Sequence, residues 1–106
     1  MEEQRSLDGQ RVDWPIFVWI NDTRFLAGQV VSASRHRMWM TLNWLPPGLL
    51  QPGQEYRAEV RFDRRTRRRY LVLVRYIGPE GVGLEIRGEL STTGLPIQPS
   101  RLASET

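Results

Sequence analysis

Cysteine and lysine are both absent from this 106-residue sequence, which also has only one histidine, His36. Without cysteine the chain can form no disulfide, no thiolate nucleophile and no cysteine-based metal site. A single histidine cannot build the usual zinc sites or a Ser-His-Asp arrangement unless a second subunit supplies the partners. We therefore expect a protein that is not an enzyme and that needs no metal or other cofactor.

Long hydrophobic runs are missing as well. Charged or polar side chains interrupt every apolar stretch before it approaches the ~20 residues that a transmembrane helix needs. The first residues, Met1 to Gln4, are acidic and polar, whereas a secretory signal is basic and then apolar. The sequence thus predicts no membrane span and a cytoplasmic location.

All 15 basic residues are arginine, and they outnumber the 12 acidic residues to give a formal net charge of +3. Complete replacement of lysine is typical of a genome-wide bias, so it indicates little about function. The densest cluster, Arg64 to Arg69, could grip phosphates and suggests nucleic-acid binding. No stacking pattern of aromatic residues accompanies it, and hairpin tips are commonly charged because they are solvated. We favour the solvated tip over nucleic acid as a partner.

Period-two alternation of apolar and polar residues, broken by turn signals, predicts six strands and no helix. Ile16, Val18 and Ile20 share one face of the first strand and are expected in the core. The run Tyr70–Ile77 is apolar enough for burial on both faces, and the Pro- and Gly-rich segment 44–53 is expected to form a structured loop. The fold is therefore predicted to be all-β, a small six-stranded antiparallel barrel over residues 14–88, with a flexible arm at 1–13 and a disordered tail at 89–106.

Four tryptophans are many for so short a chain, and the alternation places Trp19 and Trp39 on faces opposite the aliphatic core. Exposed aromatic side chains mark protein contacts because large rigid rings bury much area at little entropic cost. The alternative is a second core layer beneath the arm or the tail. On the first interpretation Trp39 and Trp44 are the candidate partner-binding residues.

Four passages in this order resemble a PilZ domain, the bacterial receptor module for cyclic di-GMP. They are FLAGQVVSAS, RMWMTL, LLQPGQEYRAEVRF and GVGLEI, and the resemblance covers roughly residues 11 to 88. It implies a six-stranded antiparallel barrel, which agrees with the strand pattern.

The nucleotide motifs of that family are largely missing. Members that bind cyclic di-GMP carry Arg-x-x-x-Arg before the first strand and Asp/Asn-x-Ser-x-x-Gly at the end of the second. Here Leu7 stands where the first arginine belongs, and of the second motif only the serine, Ser34, is retained. The resemblance implies that the residues left to bind a nucleotide are Arg11, Ser32, Ser34, Arg35 and Arg37.

Some PilZ-like proteins with degenerate motifs work without the nucleotide and dock onto partners such as a type IV pilus assembly ATPase or a signalling protein. The resemblance therefore favours a cytoplasmic adaptor in cyclic di-GMP-related regulation, with weak or no nucleotide binding and protein contacts through Trp39 and Trp44. One alternative is a genuine cyclic di-GMP receptor with an irregular Arg/Ser clamp, and a further one is an Arg-rich barrel that binds nucleic acid. Motility, pilus function, polysaccharide synthesis and virulence all stay open as the process served.

Overall fold

Six antiparallel strands make up the part of the chain that the structure, a computed structural model, describes, which is residues 9–90. The strands are β1 (Gln10–Trp19), β2 (Phe25–Ala33), β3 (Arg37–Thr41), β4 (Glu55–Arg61), β5 (Arg67–Gly78) and β6 (Gly81–Leu90). They are hydrogen-bonded in the order β1-β2-β3-β6-β5-β4, and β4 pairs with β1 to close the barrel. The prediction of an all-β, six-stranded antiparallel barrel is confirmed. Residues 9–90 include no helix with the length and apolarity that crossing a bilayer requires.

The core is formed by the inward-facing side chains of all six strands. Ile16 and Val18 are fully buried and Ile20 packs partly buried against them, as the alternation in β1 predicts. Branched aliphatic residues predominate because they suit the pleated backbone and have few rotamers to lose. The buried cluster comprises Ile16, Val18, Val30, Met38, Met40, Leu50, Ala58, Val60, Val72, Val74, Val82 and Leu84.

The apolar run of β5 is not buried on both faces, which corrects the sequence-based prediction. Val72 and Val74 point into the core, whereas Leu71 and Leu73 are only half-buried and Tyr76 is 47% exposed. The reason is the closed barrel: one face of every strand lines the interior, and the described residues place no second layer over the outer face of β5.

Both ends of the predicted barrel extend further than expected. β1 begins at Gln10, inside the predicted arm, because Gln10 and Arg11 pair with Ala33 and Ser32 of β2. β6 continues to Leu90, inside the predicted tail, where Leu90 pairs with Arg69 of β5. The remainder of the predicted arm and tail, residues 1–8 and 91–106, lies outside the described residues.

The loop of residues 42–54 carries the chain across one end of the barrel, from β3 to β4. Leu50 is only 3% exposed and belongs to the core. The Gly53 N–H donates to the Val74 carbonyl at 2.7 Å, and the Val74 N–H donates to the Gln54 carbonyl at 3.0 Å. Gly53 has φ of +87°, a conformation that glycine adopts without a steric penalty. The predicted structured loop is thus tied to both the core and β5.

At the other end of the barrel, Asp63 organises the turn between β4 and β5. Its carboxylate accepts hydrogen bonds from the backbone N–H groups of Arg65 and Thr66 at 2.8 and 2.7 Å. These bonds lower the pKa of Asp63 below its ordinary value, since they stabilise the ionised form. The arginine cluster therefore begins in a hydrogen-bonded hairpin turn.

Candidate functional site

A single row of paired residues crosses five strands on the outer face of the barrel. Arg11 pairs with Ser32, and Ser32 with Trp39. Trp39 in turn pairs with Gly83, which pairs with Tyr76. Directly paired residues of neighbouring strands point to the same side of a sheet, so these side chains share one surface.

The aromatic rings of Trp39 and Tyr76 stack on each other across β6. Their centroids lie 5.7 Å apart and their planes differ by 24°. Gly83 lies between them in the row, and a Cβ atom there would stand 3.3 Å from Cζ3 of Trp39 and 3.6 Å from Cβ of Tyr76. The missing side chain at Gly83 therefore provides the space in which the two rings meet.

An open cavity of about 380 Å³ lies beside this stacked pair. Ser32, Ser34 and Arg37 contribute to its walls, together with Trp39 and Tyr76. Its size falls within the range of roughly 300–1,000 Å³ that is usual for small-molecule sites. Hydroxyl groups, a guanidinium and two aromatic rings thus line one concave surface, which we call the Trp39 site.

Positive charge at the Trp39 site comes from two arginines with different surroundings. Arg75 is held by Glu85, with 3.4 Å between Nη1 and Oε1, and the other oxygen of Glu85 is 3.3 Å from Nη1 of Arg87. Within residues 9–90, Arg37 makes no ion pair. Because a guanidinium stays charged in proteins, Arg37 offers the site a cation that is not neutralised by a neighbour in the described part of the chain.

The turn between β2 and β3 closes with arginine, not glycine, at position 37. The Ser34 N–H donates to the Arg37 carbonyl at 2.8 Å, and the Ile86 N–H donates to the His36 carbonyl at 2.7 Å. Arg37 begins β3, and no residue other than glycine has positive φ within the described range. Arginine at position 37 therefore causes no backbone strain and adds a side chain to the cavity wall.

The structure brings some of the sequence-predicted residues together and leaves others apart. Ser32, Ser34, Arg37 and Trp39 line the same cavity. Arg11 lies in the same row across the strands without lining that cavity. The two remaining candidates are Arg35, which lines a second cavity at the barrel mouth, and Trp44, which lines neither cavity and is 73% exposed on the loop after β3.

The second cavity, of about 640 Å³, opens at the barrel end where β1 begins. Trp14 and Phe62 line it edge to face, with ring centroids 4.7 Å apart. Tyr70 also lines it, and burial raises the pKa of this phenol; the nearby charge of Glu89 raises it further, while Arg68 acts in the opposite direction. Trp14 therefore packs against the main core, whereas Trp39 and Trp44 are not among the residues that pack against it.

Tyr76, Arg75 and Gly83 are members of the site that sequence reasoning missed. The run Tyr70–Ile77 was interpreted as buried, and the register shift between Val74 and Tyr76 that turns the tyrosine outward is invisible in a period-two pattern. One signal was present, since a glycine inside a strand such as Gly83 commonly marks a close approach.

Residues 9–90 contain no group of three or more acidic or histidine side chains that could hold a metal ion. Comparison with models of known protein families, with curated proteins and with solved structures found no match. The proposals below therefore depend on the geometry of the site and on the sequence resemblance.

Proposed function

We propose that this chain is a PilZ-like, non-enzymatic adaptor in bacterial cyclic di-GMP-related regulation and that it acts by contacting a protein partner. The observation that supports this most directly is the set of exposed aromatic side chains: on the outer face Trp39 stacks on the 47% exposed Tyr76, and Trp44, on the loop after β3, is 73% exposed. Rings of this size, already held by stacking, can bury a large area at little entropic cost, which is the chemistry of interface hot spots. A pilus assembly ATPase or a cyclic di-GMP signalling protein is the kind of partner that the resemblance implies.

Substitution of Trp44 tests this proposal without threatening the fold, because the side chain contributes little to the core. We expect Trp44→Ala to weaken binding to a purified pilus assembly ATPase or signalling protein by about tenfold or more, as measured by surface plasmon resonance. Phe25→Ala is the matched control, since it removes another exposed ring, on β2 and outside the Trp39 site. Wild-type affinity in Trp44→Ala and in Trp39→Ala would contradict the proposed docking surface.

A second candidate function is cyclic di-GMP binding through an irregular clamp. It is favoured by the cavity that places Ser32, Ser34 and Arg37 beside stacked aromatic rings, with Arg11 in the same row. Arginine suits phosphate because its fork of donors can bond two oxygens at once, and a guanine base can stack on a tryptophan face. In this arrangement Arg37 replaces the lost motif glycine with a phosphate ligand.

Calorimetric titration of cyclic di-GMP into the full chain distinguishes the two candidates. The clamp predicts saturable binding that weakens with salt and that Arg37→Ala reduces by about tenfold or more. Arg24→Ala is a suitable control, because Arg24 is equally exposed but lies at the opposite barrel end, in the turn before β2. Absence of heat at high-micromolar nucleotide would exclude the clamp and leave the adaptor.

A further inference from the structure

Three aromatic side chains form a second cluster on the outer face, on β1 and β2. Phe17 and Phe25 meet edge to face with centroids 5.5 Å apart, and Trp19 lies 4.9 Å from Phe25. Phe25 is 49% exposed, while Phe17 and Trp19 are half-buried. The cluster thus presents one open ring supported by two others.

Strand register places arginines beside these rings. Trp19 pairs with Arg57 of β4, Phe17 pairs with Glu59, and Glu59 pairs in turn with Arg69 of β5. The guanidinium carbon of Arg61 lies 4.7 Å from the centroid of Phe17, in a cation–π contact. Two arginines of β4, Arg57 and Arg61, therefore lie beside aromatic rings of the neighbouring strand β1, just before the arginine cluster Arg64 to Arg69.

Glu59 organises this positive charge. Although it points outward, it is only 6% exposed, because three arginines surround it. Its carboxylate oxygens lie 3.1 Å from Nε of Arg61, 3.4 Å from Nε of Arg69 and 3.9 Å from Nη1 of Arg67. The single carboxylate of Glu59 holds three guanidinium groups in place, so the surface keeps a preorganised excess of positive charge. Within residues 9–90, Arg57 adds a further charge that has no ion pair.

We propose that this aromatic–arginine face, formed by Phe17, Trp19, Phe25, Arg57, Arg61 and Arg69, binds single-stranded nucleic acid. Bases stack on the open ring of Phe25, and the backbone phosphates contact the arginines. Arg57 and Arg61 lie four residues apart on one face of β4, roughly 13 Å at ~3.3 Å per residue. A basic stripe of this length next to stacking rings fits a polyanion with planar bases better than a single small anion.

This inference is independent of the proposed function. In the closed order β1-β2-β3-β6-β5-β4, the β1–β4 seam lies opposite the β3–β6 seam that carries Trp39. A failed docking experiment at Trp39 or Trp44 therefore leaves the aromatic–arginine face untested, and the reverse is also true.

Fluorescence anisotropy with labelled oligothymidylate and oligouridylate, titrated with the full chain at low and at physiological salt, tests the proposal. We expect the logarithm of the association constant to fall linearly with the logarithm of salt concentration. Phe25→Ala should lose about tenfold or more in affinity. Arg57→Gln, at an exposed position, should also weaken binding and lower the salt slope. Trp44→Ala serves as the matched aromatic control and should bind like the wild type, and circular dichroism checks the fold of each variant.

Two comparisons separate stacking of bases from attraction of charge alone. Polyglutamate of similar length should compete only weakly, because it lacks planar groups. Equal competition by polyglutamate, or equal affinity of Phe25→Ala and wild type, would overturn the proposal and indicate a surface for acidic proteins. Absence of oligonucleotide binding at low salt would overturn it as well.

Discussion

At the scale of single residues, Gly83 has the clearest structural role in the Trp39 site. It pairs with both Trp39 and Tyr76 and leaves the space above β6 in which their rings stack. Valine favours strand geometry, so the backbone can accept it at this position, but its branched side chain would occupy the space of the rings. The role of Gly83 is thus to permit a close approach of side chains.

We predict that Gly83→Val separates the stacked rings while leaving the barrel intact. The near-ultraviolet circular dichroism of the aromatic side chains should decrease and the far-ultraviolet spectrum should be unchanged, with a loss in the free energy of unfolding of about 1–3 kcal/mol from overpacking. Gly83→Ala, whose Cβ would stand 3.3 Å from Trp39, should show a smaller change of the same kind. A near-ultraviolet spectrum identical to wild type in the valine variant would disprove this role.

At the scale of elements, the loop of residues 42–54 is more than a connection, because it supplies a core residue. Leu50 inserts among the inward-facing side chains. Two backbone hydrogen bonds, donated by Gly53 to Val74 and by Val74 to Gln54, attach the loop to β5. The Gln51 N–H also donates to the hydroxyl oxygen of Tyr56 at 3.0 Å. The loop therefore covers the end of the barrel that it crosses.

Replacement of Leu50 by alanine should reveal this role. We predict that Leu50→Ala lowers the free energy of unfolding by about 2–5 kcal/mol, because it removes buried methyl groups and leaves a cavity. Leu49→Ala is the control, since Leu49 is adjacent, chemically identical and only half-buried. Urea denaturation measures both, and equal midpoints for the two variants would show that the loop does not complete the core.

The sequence alone predicted the six strands but not the strand pairing that brings Trp39 and Tyr76 together, for a physical reason. A strand can be predicted from its local sequence, because the alternation of Tyr56, Ala58 and Val60 is visible without knowing which strands pair with it. The Trp39–Tyr76 pair depends instead on which strands are neighbours and on a register shift within β5. A register shift breaks the period-two alternation of a strand, so that alternation alone does not reveal which side Tyr76 faces.

The same limit applies to the aromatic–arginine face. Arg61 lies just before the cluster Arg64 to Arg69 that was predicted as a solvated hairpin tip, and Phe17 belongs to a strand far earlier in the sequence. Only the pairing of β1 with β4 places the guanidinium over the ring. The outward orientation of Phe17 and Trp19 was predictable from strand alternation, but the arginines that lie beside them were not.

At the scale of the whole molecule, closure of the barrel is the feature that separates the two aromatic surfaces. β1 bonds to β2 on one side and to β4 on the other, so the sheet has no free edge among residues 10–90 and its outer face is continuous. Cores of this size commonly unfold in a single cooperative transition. A destabilising substitution at the β1–β4 seam or at the β3–β6 seam should therefore lower the stability of the whole barrel, although each surface has its own set of contacts.

This reasoning predicts one shared unfolding transition for variants at opposite seams. Val18→Ala on β1 and Val82→Ala on β6 each remove two methyl groups from a fully buried or nearly fully buried side chain, so each should lower the free energy of unfolding by about 2 kcal/mol. Thermal unfolding followed by tryptophan fluorescence and by far-ultraviolet circular dichroism should give the same midpoint within each variant. Two separate midpoints in either variant would mean that the seams unfold independently, which a closed hydrogen-bonded barrel with one continuous core does not allow.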